Sequence, residues 1–339
     1  GKSSPGNITP LQALLNANRW GMIVPFTIPK RAENASMRTF FKFLFWSMVL
    51  LATASWHATA NAAQAHHDLR VRLDPARQQL IGDDTVTIEN AAPGPLTLRL
   101  APQARVDAVT LNDQPAECRF SDGLIHLRIP PQGSSDKTRI TIRYRSRFDD
   151  PAPTRPINPD NPGYGVSGTI SPAGVLLLSG AGWLPAPLDM PATYDLSVNA
   201  PRGIVAVTDG LSLGVEHQAD RTISRWCIAR STIDGPSLTA GAYAVREKQV
   251  GSVTVATYLT AANADLAERY LAASARYIDH FSRLLGPYPF EKFAVVENFF
   301  PPGYGFPSYT LMGGRVLRLP FIVHTSLGHE IAHCWWGNG

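Results

Sequence analysis

The sequence has few cysteines, few charged residues and no run of five or more basic residues. Three cysteines among 339 residues (Cys118, Cys227 and Cys334) are too few for a disulfide scaffold, and the odd number leaves at least one unpaired. Cys118 and Cys227 lie in one β-rich region, where a disulfide is possible, but we expect buried free thiols. Charged residues make up 17% of the chain and hydrophobic residues 44%. This composition excludes a disordered chain, and the scattered basic residues argue against a nucleic-acid-binding protein.

A hydrophobic run near the start is too short to cross a membrane. Residues 43–56 form an uncharged, mostly apolar run of about fourteen residues, whereas a membrane-spanning helix needs about twenty. Basic residues lie in 37–42, and several Ala-x-Ala sites follow in 58–65, which completes the pattern of a secretory signal peptide. We therefore expect residues 37–65 to be this peptide, residues 1–36 to lie outside the native protein, and the mature protein to be periplasmic or extracellular. A retained membrane anchor is the alternative.

Short alternating runs of apolar and polar residues dominate residues 66–250. They are separated by clusters of Gly, Pro and Asp, which is the pattern of strands joined by turns. The clearest runs are 68–73, 85–89, 96–100, 125–129, 139–145 and 194–198. We expect an antiparallel all-β sandwich or saddle as the first domain. Residues 149–174 contain six prolines and predict a long surface excursion instead of a turn.

A change of pattern marks a second domain, which we place at residues 251–339. Residues 253–259 predict a last strand, and residues 265–281 carry apolar side chains at helical spacing. The helix should end before Gly286-Pro287, because proline cannot continue it. Residues 293–296 then predict another strand. The sequence thus favours an α+β region after the β-rich domain.

Two histidines four residues apart near the end of the chain have the spacing of a metal site. On a helix His329 and His333 lie on one face and can bind a single ion. Glu330 follows the first histidine, roughly 100° around the helix, beside the ion's open position. A carboxylate there can take a proton from a zinc-bound water, which is the chemistry of peptide-bond hydrolysis. An ordinary amphipathic helix with a solvated glutamate is the alternative.

The residues around this motif resemble a known family of zinc enzymes. The string His333-Cys334-Trp335-Trp336-Gly337-Asn338, together with residues 285–293 upstream, closely resembles the aminopeptidase N family of zinc metallopeptidases. The resemblance implies a thermolysin-like α+β catalytic domain and one Zn²⁺ ion. It also implies a glutamate as third ligand and a tyrosine that stabilises the oxyanion, both beyond Gly339. The chain as given is therefore expected to be an inactive amino-terminal fragment. Cys334 points away from His333 and is not counted as a ligand.

One loop departs from the pattern of that family. The resemblance places a Gly-x-Met-Glu-Asn loop, whose glutamate binds the substrate's α-amine, at Gly303, Tyr304, Gly305 and Phe306, and Phe306 stands where the glutamate should be. An apolar ring cannot neutralise an ammonium group. These four residues are candidates for lining the substrate cleft, where an extended peptide could pair with their backbone. A rigid surface loop is the alternative.

The upstream pair Glu297-Asn298 could replace the missing glutamate. We expect a zinc-dependent metallopeptidase of aminopeptidase type that acts on peptides or proteins and not on nucleic acid. The alternatives are a zinc hydrolase of the same fold that needs no free amino terminus and a non-catalytic exported scaffold protein. The sequence leaves membrane association, oligomeric state and side-chain preference open.

Overall fold

The computed structural model describes residues 64–337, with gaps at 132–136, 154–164, 189, 231–234 and 302. The predicted signal peptide (except for its last two residues) and the segment before it lie outside the described residues. None of the helices within the described ranges is long and apolar enough to cross a membrane.

The described residues form mostly strands and few helices. The strands in chain order are β1 (Ala65–Asp74), β2 (Gln79–Glu89), β3 (Gly94–Arg99), β4 (Arg105–Leu111), β5 (Gln114–Pro115), β6 (Arg119–Ser121), β7 (Leu124–Ile129), β8 (Lys137–Arg147), β9 (Gly168–Ser171), β10 (Gly174–Leu177), β11 (Ala186–Pro187), β12 (Ala192–Pro201), β13 (Val205–Thr208), β14 (Leu211–His217), β15 (Arg221–Ile228), β16 (Leu238–Gly241), β17 (Tyr243–Val250), β18 (Val253–Thr260), β19 (Lys292–Asn298), β20 (Tyr304–Phe306) and β21 (Tyr309–Gly313). The α-helices are α1 (Ala267–Leu285), α2 (Gly314–Leu317) and α3 (Ser326–Ala332), and short 3-10 helices lie at Ser179–Ala181, Ala264–Leu266 and Ile322–His324.

The strands form four sheets. The first sheet has the order β14-β15-β12-β1-β2-β8-β4-β5, the second β11-β3-β7-β6, the third β13-β16-β10-β9 and the fourth β17-β18-β19-β21-β20. All neighbours in the first three sheets are antiparallel except β1 and β12, which pair in parallel. The expectation of purely antiparallel sheets is therefore wrong at this pair. The chain leaves the first sheet after β8 and crosses strands of the other sheets before β12, and such a long connection permits parallel pairing.

Alternation along the strands builds the first core. In β1, Leu69, Val71 and Leu73 are buried while the residues between them face solvent. Inward residues of the first three sheets join them in one cluster, which contains the large side chains of Tyr144 and Trp183. The alternation that predicted strands is therefore the alternation between core and solvent.

Most of the predicted elements are confirmed. The six alternating runs fall in β1, β2, β3, β7, β8 and β12, the apolar run 253–259 lies in β18, and the run 293–296 lies in β19. The helix predicted from residues 265–281 is α1, which ends before Gly286. The excursion predicted for 149–174 is wrong for its last part, because β9 lies within it and Asp149 pairs with Thr169. Residues 154–164 of this stretch lie outside the described residues.

The cysteines of the described residues are free thiols. The disulfide considered for Cys118 and Cys227 is not formed. The expectation that both thiols are buried is wrong for Cys118, which is exposed in the connection between β5 and β6, whereas Cys227 is half-buried in β15.

The fourth sheet separates two cores. Its residues Ala256, Tyr258 and Ala294 pack on the first core. Their neighbours on the opposite face, including Val255 and Phe293, pack on α1 and α3 in a second core. The predicted domain boundary after residue 250 falls in the turn between β17 and β18, so residues on both sides of it contribute strands to this sheet. The boundary stays a prediction.

Candidate metal centre

The short helix α3 is held close to α1 by small and apolar side chains. Leu327 and Ile331 are fully buried in the second core. Gly328 lies against the ring of Tyr277 on α1, where an added Cβ atom would come within 2.8 Å of the ring. This close approach fixes the buried face of α3, so the opposite face carries His329 toward solvent.

The residues after α3 are anchored by aromatic contacts. The Trp335 ring packs edge-on against Tyr288 and Phe281, with centroid distances of 5.2 Å and 5.9 Å. Its indole N–H donates to the carbonyl oxygen of Gly286 at 3.2 Å. Cys334 is buried, and its Sγ atom lies 3.3 Å from the Tyr288 hydroxyl. Residues 285–293 therefore support the end of the helix that carries the histidines.

The two histidines converge as their spacing predicts. The Nε2 atoms of His329 and His333 lie 3.0 Å apart, and the two rings meet nearly edge-on with centroids 4.5 Å apart. Two lone pairs at this distance repel each other unless a proton or a cation lies between them. One zinc ion at about 2.0–2.1 Å from each nitrogen fits such a pair. The donor set therefore suits zinc.

A hydrogen bond orients the second imidazole. The Nδ1 atom of His333 lies 3.3 Å from the carbonyl oxygen of Trp336. A carbonyl only accepts, so this contact requires the proton on Nδ1 and leaves the Nε2 lone pair available to a metal. The chain turns sharply just after it, at Gly337, whose φ of +94° favours glycine.

Glu330 is half-buried and follows His329 on α3. Within the described ranges no group of three or more His, Cys, Asp or Glu side chains lies close enough together to hold a metal ion. The described residues thus bring together two imidazole side chains and, next to them in sequence, a carboxylate. Cys334 is directed into the second core.

The predicted substrate residues form a hairpin and not a loop. Gly303 precedes β20, which contains Tyr304, Gly305 and Phe306 and pairs with β21 through a turn at Ser308. The Phe306 ring stacks on Tyr309 with centroids 4.7 Å apart, and Tyr304 and Phe306 pack on the first core. The α3 helix packs on the second core, so these side chains and the histidines lie on opposite faces of the fourth sheet. β20 is the last strand of the fourth sheet.

The proposed substitute for the missing glutamate is wrong. Glu297 is 7% exposed, and its carboxylate accepts hydrogen bonds from the Thr260 amide at 2.8 Å, the Thr260 hydroxyl at 2.9 Å and the Asn263 side chain at 2.8 Å. Both oxygens are therefore committed to holding the chain between β18 and α1. Asn298 is 3% exposed. Burial prevents either side chain from binding a substrate amine.

Sequence reasoning missed two buried ionisable residues. Lys292 and Asp209 are 2% and 5% exposed, at the junction between the fourth sheet and the first core. Burial lowers the pKa of Lys292 to about 7 and raises the pKa of Asp209 to about 7, because neither charge is hydrated. Lysine in a strand and aspartate after a strand are ordinary surface patterns, so no local signal indicated this pair.

A cavity of about 750 Å³ lies away from the histidines. It is lined mainly by residues of β14, β17 and β18, with Lys292 also in its wall, and it includes no residue of α3. The candidate metal centre is instead an open surface on α3.

Comparison with solved structures identifies the fold. No protein-family model matches the sequence, and no curated protein matches it. The structure is similar to that of an M1 zinc metallopeptidase from Deinococcus radiodurans, with a TM-score of 0.61 and 21% identity over 81% of this chain and 64% of that one. It is also similar to a mutant of that enzyme bound to a Tyr-Ser-Ala substrate, with a TM-score of 0.60 and 20% identity over 81% of this chain and 65% of the other. The chain thus spans just under two thirds of these structures.

Proposed function

Because the fold is similar to that of M1 zinc metallopeptidases, we propose that the protein containing this chain is a zinc-dependent peptidase. The observation that carries the proposal is the 3.0 Å approach of the His329 and His333 Nε2 atoms on one helix, with Glu330 beside them. The alternative, an ordinary amphipathic helix without a metal, does not explain why two imidazole nitrogens lie this close together at its surface.

The two histidines and Glu330 would have different roles in the reaction. His329 and His333 would hold one zinc ion, and the Nδ1 contact of His333 keeps its ring in the binding tautomer. When bound, zinc lowers the pKa of a water from 15.7 to about 7 and polarises a carbonyl. The Glu330 carboxylate would accept the proton of the attacking water and return it to the leaving amine.

A further ligand is needed for a catalytic site. Catalytic zinc sites use three protein ligands and leave one position to water. The described residues bring two, so we place the third outside them, and we expect residues 1–339 alone to bind zinc weakly and to hydrolyse no peptide.

The position of β20 as the last strand of the fourth sheet supports an extended peptide as the substrate. The outer strand of a sheet can hydrogen-bond a peptide through its backbone by strand addition. Backbone pairing does not depend on the peptide's side chains, so we expect the protein to bind peptides of many different sequences. Export through the predicted signal peptide, with or without membrane association, belongs to this proposal, as does the absence of a nucleic-acid partner. The pairing of Arg143 with Asp83 and of Arg145 with Asp107 supports the last point.

One specific observation favours a second candidate, a zinc peptidase that does not require a free amino terminus. Phe306 stacks among aromatic rings, and Glu297 is committed to Thr260 and Asn263. The hairpin and the strand before it therefore offer no carboxylate to a substrate α-amine. Aminopeptidase activity would need that carboxylate from another part of the protein.

The test is peptide turnover by the full-length protein with matched free and acetylated peptides. We expect turnover that a chelator abolishes and zinc restores. A preference for free amino termini supports the aminopeptidase type, and equal turnover supports the second candidate. No zinc-dependent turnover of either peptide would contradict both and leave a non-catalytic scaffold protein.

A further inference from the structure

Two buried ionisable residues, Lys292 and Asp209, lie where the β-rich sheets meet the fourth sheet. The Nζ atom of Lys292, on β19, donates to the carbonyl oxygen of Thr208 at 2.8 Å. The same ammonium group lies over the rings of Trp226 and Tyr309, at 4.7 Å and 5.2 Å from their centroids. These contacts join β13 and β15 on one side to β19 and β21 on the other.

Asp209 is fixed by the same group of residues. One oxygen of its carboxylate accepts from the Ser237 amide at 3.0 Å. The Ser237 hydroxyl lies 2.7 Å from the hydroxyl of Tyr309. Tyr309 begins β21, whose partner β20 is the candidate substrate edge. The pair therefore contacts the strand beside the proposed peptide site.

A second set of contacts leads from Lys292 to the segment that follows α3. The Tyr288 hydroxyl lies 3.2 Å from the Lys292 carbonyl oxygen and 3.3 Å from the Cys334 Sγ atom. The backbone of Ser308, in the turn between β20 and β21, lies beside the same thiol. Cys334 follows His333 directly. Contacts thus continue from Thr208 in the β-rich sheets to the residue next to a proposed ligand.

Stability does not explain why this pair is present. Two charges lose their hydration when buried, and one Asp209 oxygen, Oδ1, has no hydrogen-bond partner. Burial of an ionisable side chain is costly, and uncharged side chains of similar size avoid this cost. Two costly residues at the junction of two sheets are better explained by the geometry that their contacts enforce, because the hydrogen bonds to Thr208 and Ser237 are directional.

We propose that Lys292 and Asp209 are positioning residues that hold the β20–β21 hairpin and the segment Cys334–Trp335 in register with the β-rich sheets. The inference rests on the proposed function only where it assigns peptide binding to β20 and zinc binding to His333. The contacts themselves do not depend on zinc or on catalysis.

The test is amide hydrogen exchange, followed by mass spectrometry, on the full-length protein. The double variant Lys292→Met/Asp209→Asn removes both charges and keeps similar volumes. We expect at least tenfold faster exchange in residues 304–313 and 327–337, with unchanged exchange in β1, β2 and β8 and an unfolding temperature equal to or above that of the wild type. The matched control is Arg225→Met/Glu216→Gln, which removes one cation and one carboxylate from an exposed ion pair and should change neither region.

A conservative variant separates positioning from mere packing. Lys292→Arg keeps a cation near Thr208 and over the Trp226 ring, and we expect it to exchange like the wild type in both regions. Wild-type exchange in the double variant would overturn the proposal. A double variant that fails to fold would also overturn it, because the pair would then stabilise the whole fold. Hydrogen exchange does not depend on peptide turnover. The experiment therefore tests the positioning role even if the protein proves not to be a peptidase.

Discussion

Gly328 sets, at the scale of single residues, how closely α3 approaches α1. A Cβ atom at this position would lie 2.8 Å from the Tyr277 ring. We expect Gly328→Ala to lower the free energy of unfolding by about 1 kcal/mol, since overpacking costs about 1–3 kcal/mol and the gain in helix propensity returns at most about 1 kcal/mol. Urea unfolding measures this change. Gly180→Ala is the control, because its Cβ would meet no atom within 4 Å. Stabilisation by Gly328→Ala would contradict the packing.

The sequence predicts single residues well where their partners are local. The convergence of His329 and His333 follows from a spacing of four on a helix. The role of Glu297 could not be predicted, because its partners Asn263 and Thr260 lie 34 and 37 residues away in the chain. Only the fold brings those donors to its carboxylate.

The aromatic anchor after α3 acts at the scale of elements. Trp335 holds the end of the helix against the loop that follows α1. Removal of a buried Trp or Phe side chain costs about 3–5 kcal/mol, and Trp335 is half-buried. We therefore expect Trp335→Ala to lower the free energy of unfolding by about 2 kcal/mol. We also expect zinc affinity to fall about tenfold or more, as for residues that orient metal ligands.

The adjacent residue supplies the control. The Trp336 side chain is 59% exposed, and its contact with His333 is made by the backbone. We expect Trp336→Ala to change the free energy of unfolding by less than about 0.5 kcal/mol. Zinc titration and urea unfolding of both variants measure the difference, and equal effects would contradict the assignment of Trp335 as the anchor.

Strands and the long helix were predictable because alternation and helical spacing are local patterns. The runs that form β1, β2 and β8 bury every second side chain, as their sequences indicate. The hairpin at Tyr304–Phe306 was expected as a loop, because its Gly and Pro content resembles a turn. Pairing with β21 overrides that local preference.

The buried residues Lys292 and Asp209 make stability depend on pH at the scale of the whole molecule. The pKa of Asp209 is about 7 in the folded chain, above its ordinary value, so the folded state binds more protons and stability falls as pH rises from about 4 to 7. The pKa of Lys292 is also about 7, below its ordinary value, so the unfolded state binds more protons and stability rises from pH 7 to about 10. The contribution of the pair should therefore be lowest near pH 7.

Urea unfolding at pH 5, 7 and 9 tests this dependence. The free energy of unfolding of the wild type, minus that of Lys292→Met/Asp209→Asn, should be lowest at pH 7. A difference that is constant across the three pH values would contradict the shifted pKa values. The burial of Lys292 was beyond sequence reasoning, because its hydrogen-bond partner Thr208 lies 84 residues away and neither residue carries a local pattern. The parallel pairing of β1 with β12 is likewise a property of the whole chain path.

The central claim is that His329 and His333 bind zinc while Glu330 performs proton transfer. The most direct measurement is the zinc content and peptide turnover of the full-length protein with Glu330→Gln, beside His333→Gln. The account predicts that Glu330→Gln keeps about one zinc per chain and loses at least about 10² in turnover, whereas His333→Gln loses both zinc and turnover. Full turnover by Glu330→Gln, or full zinc content in His333→Gln, would contradict it.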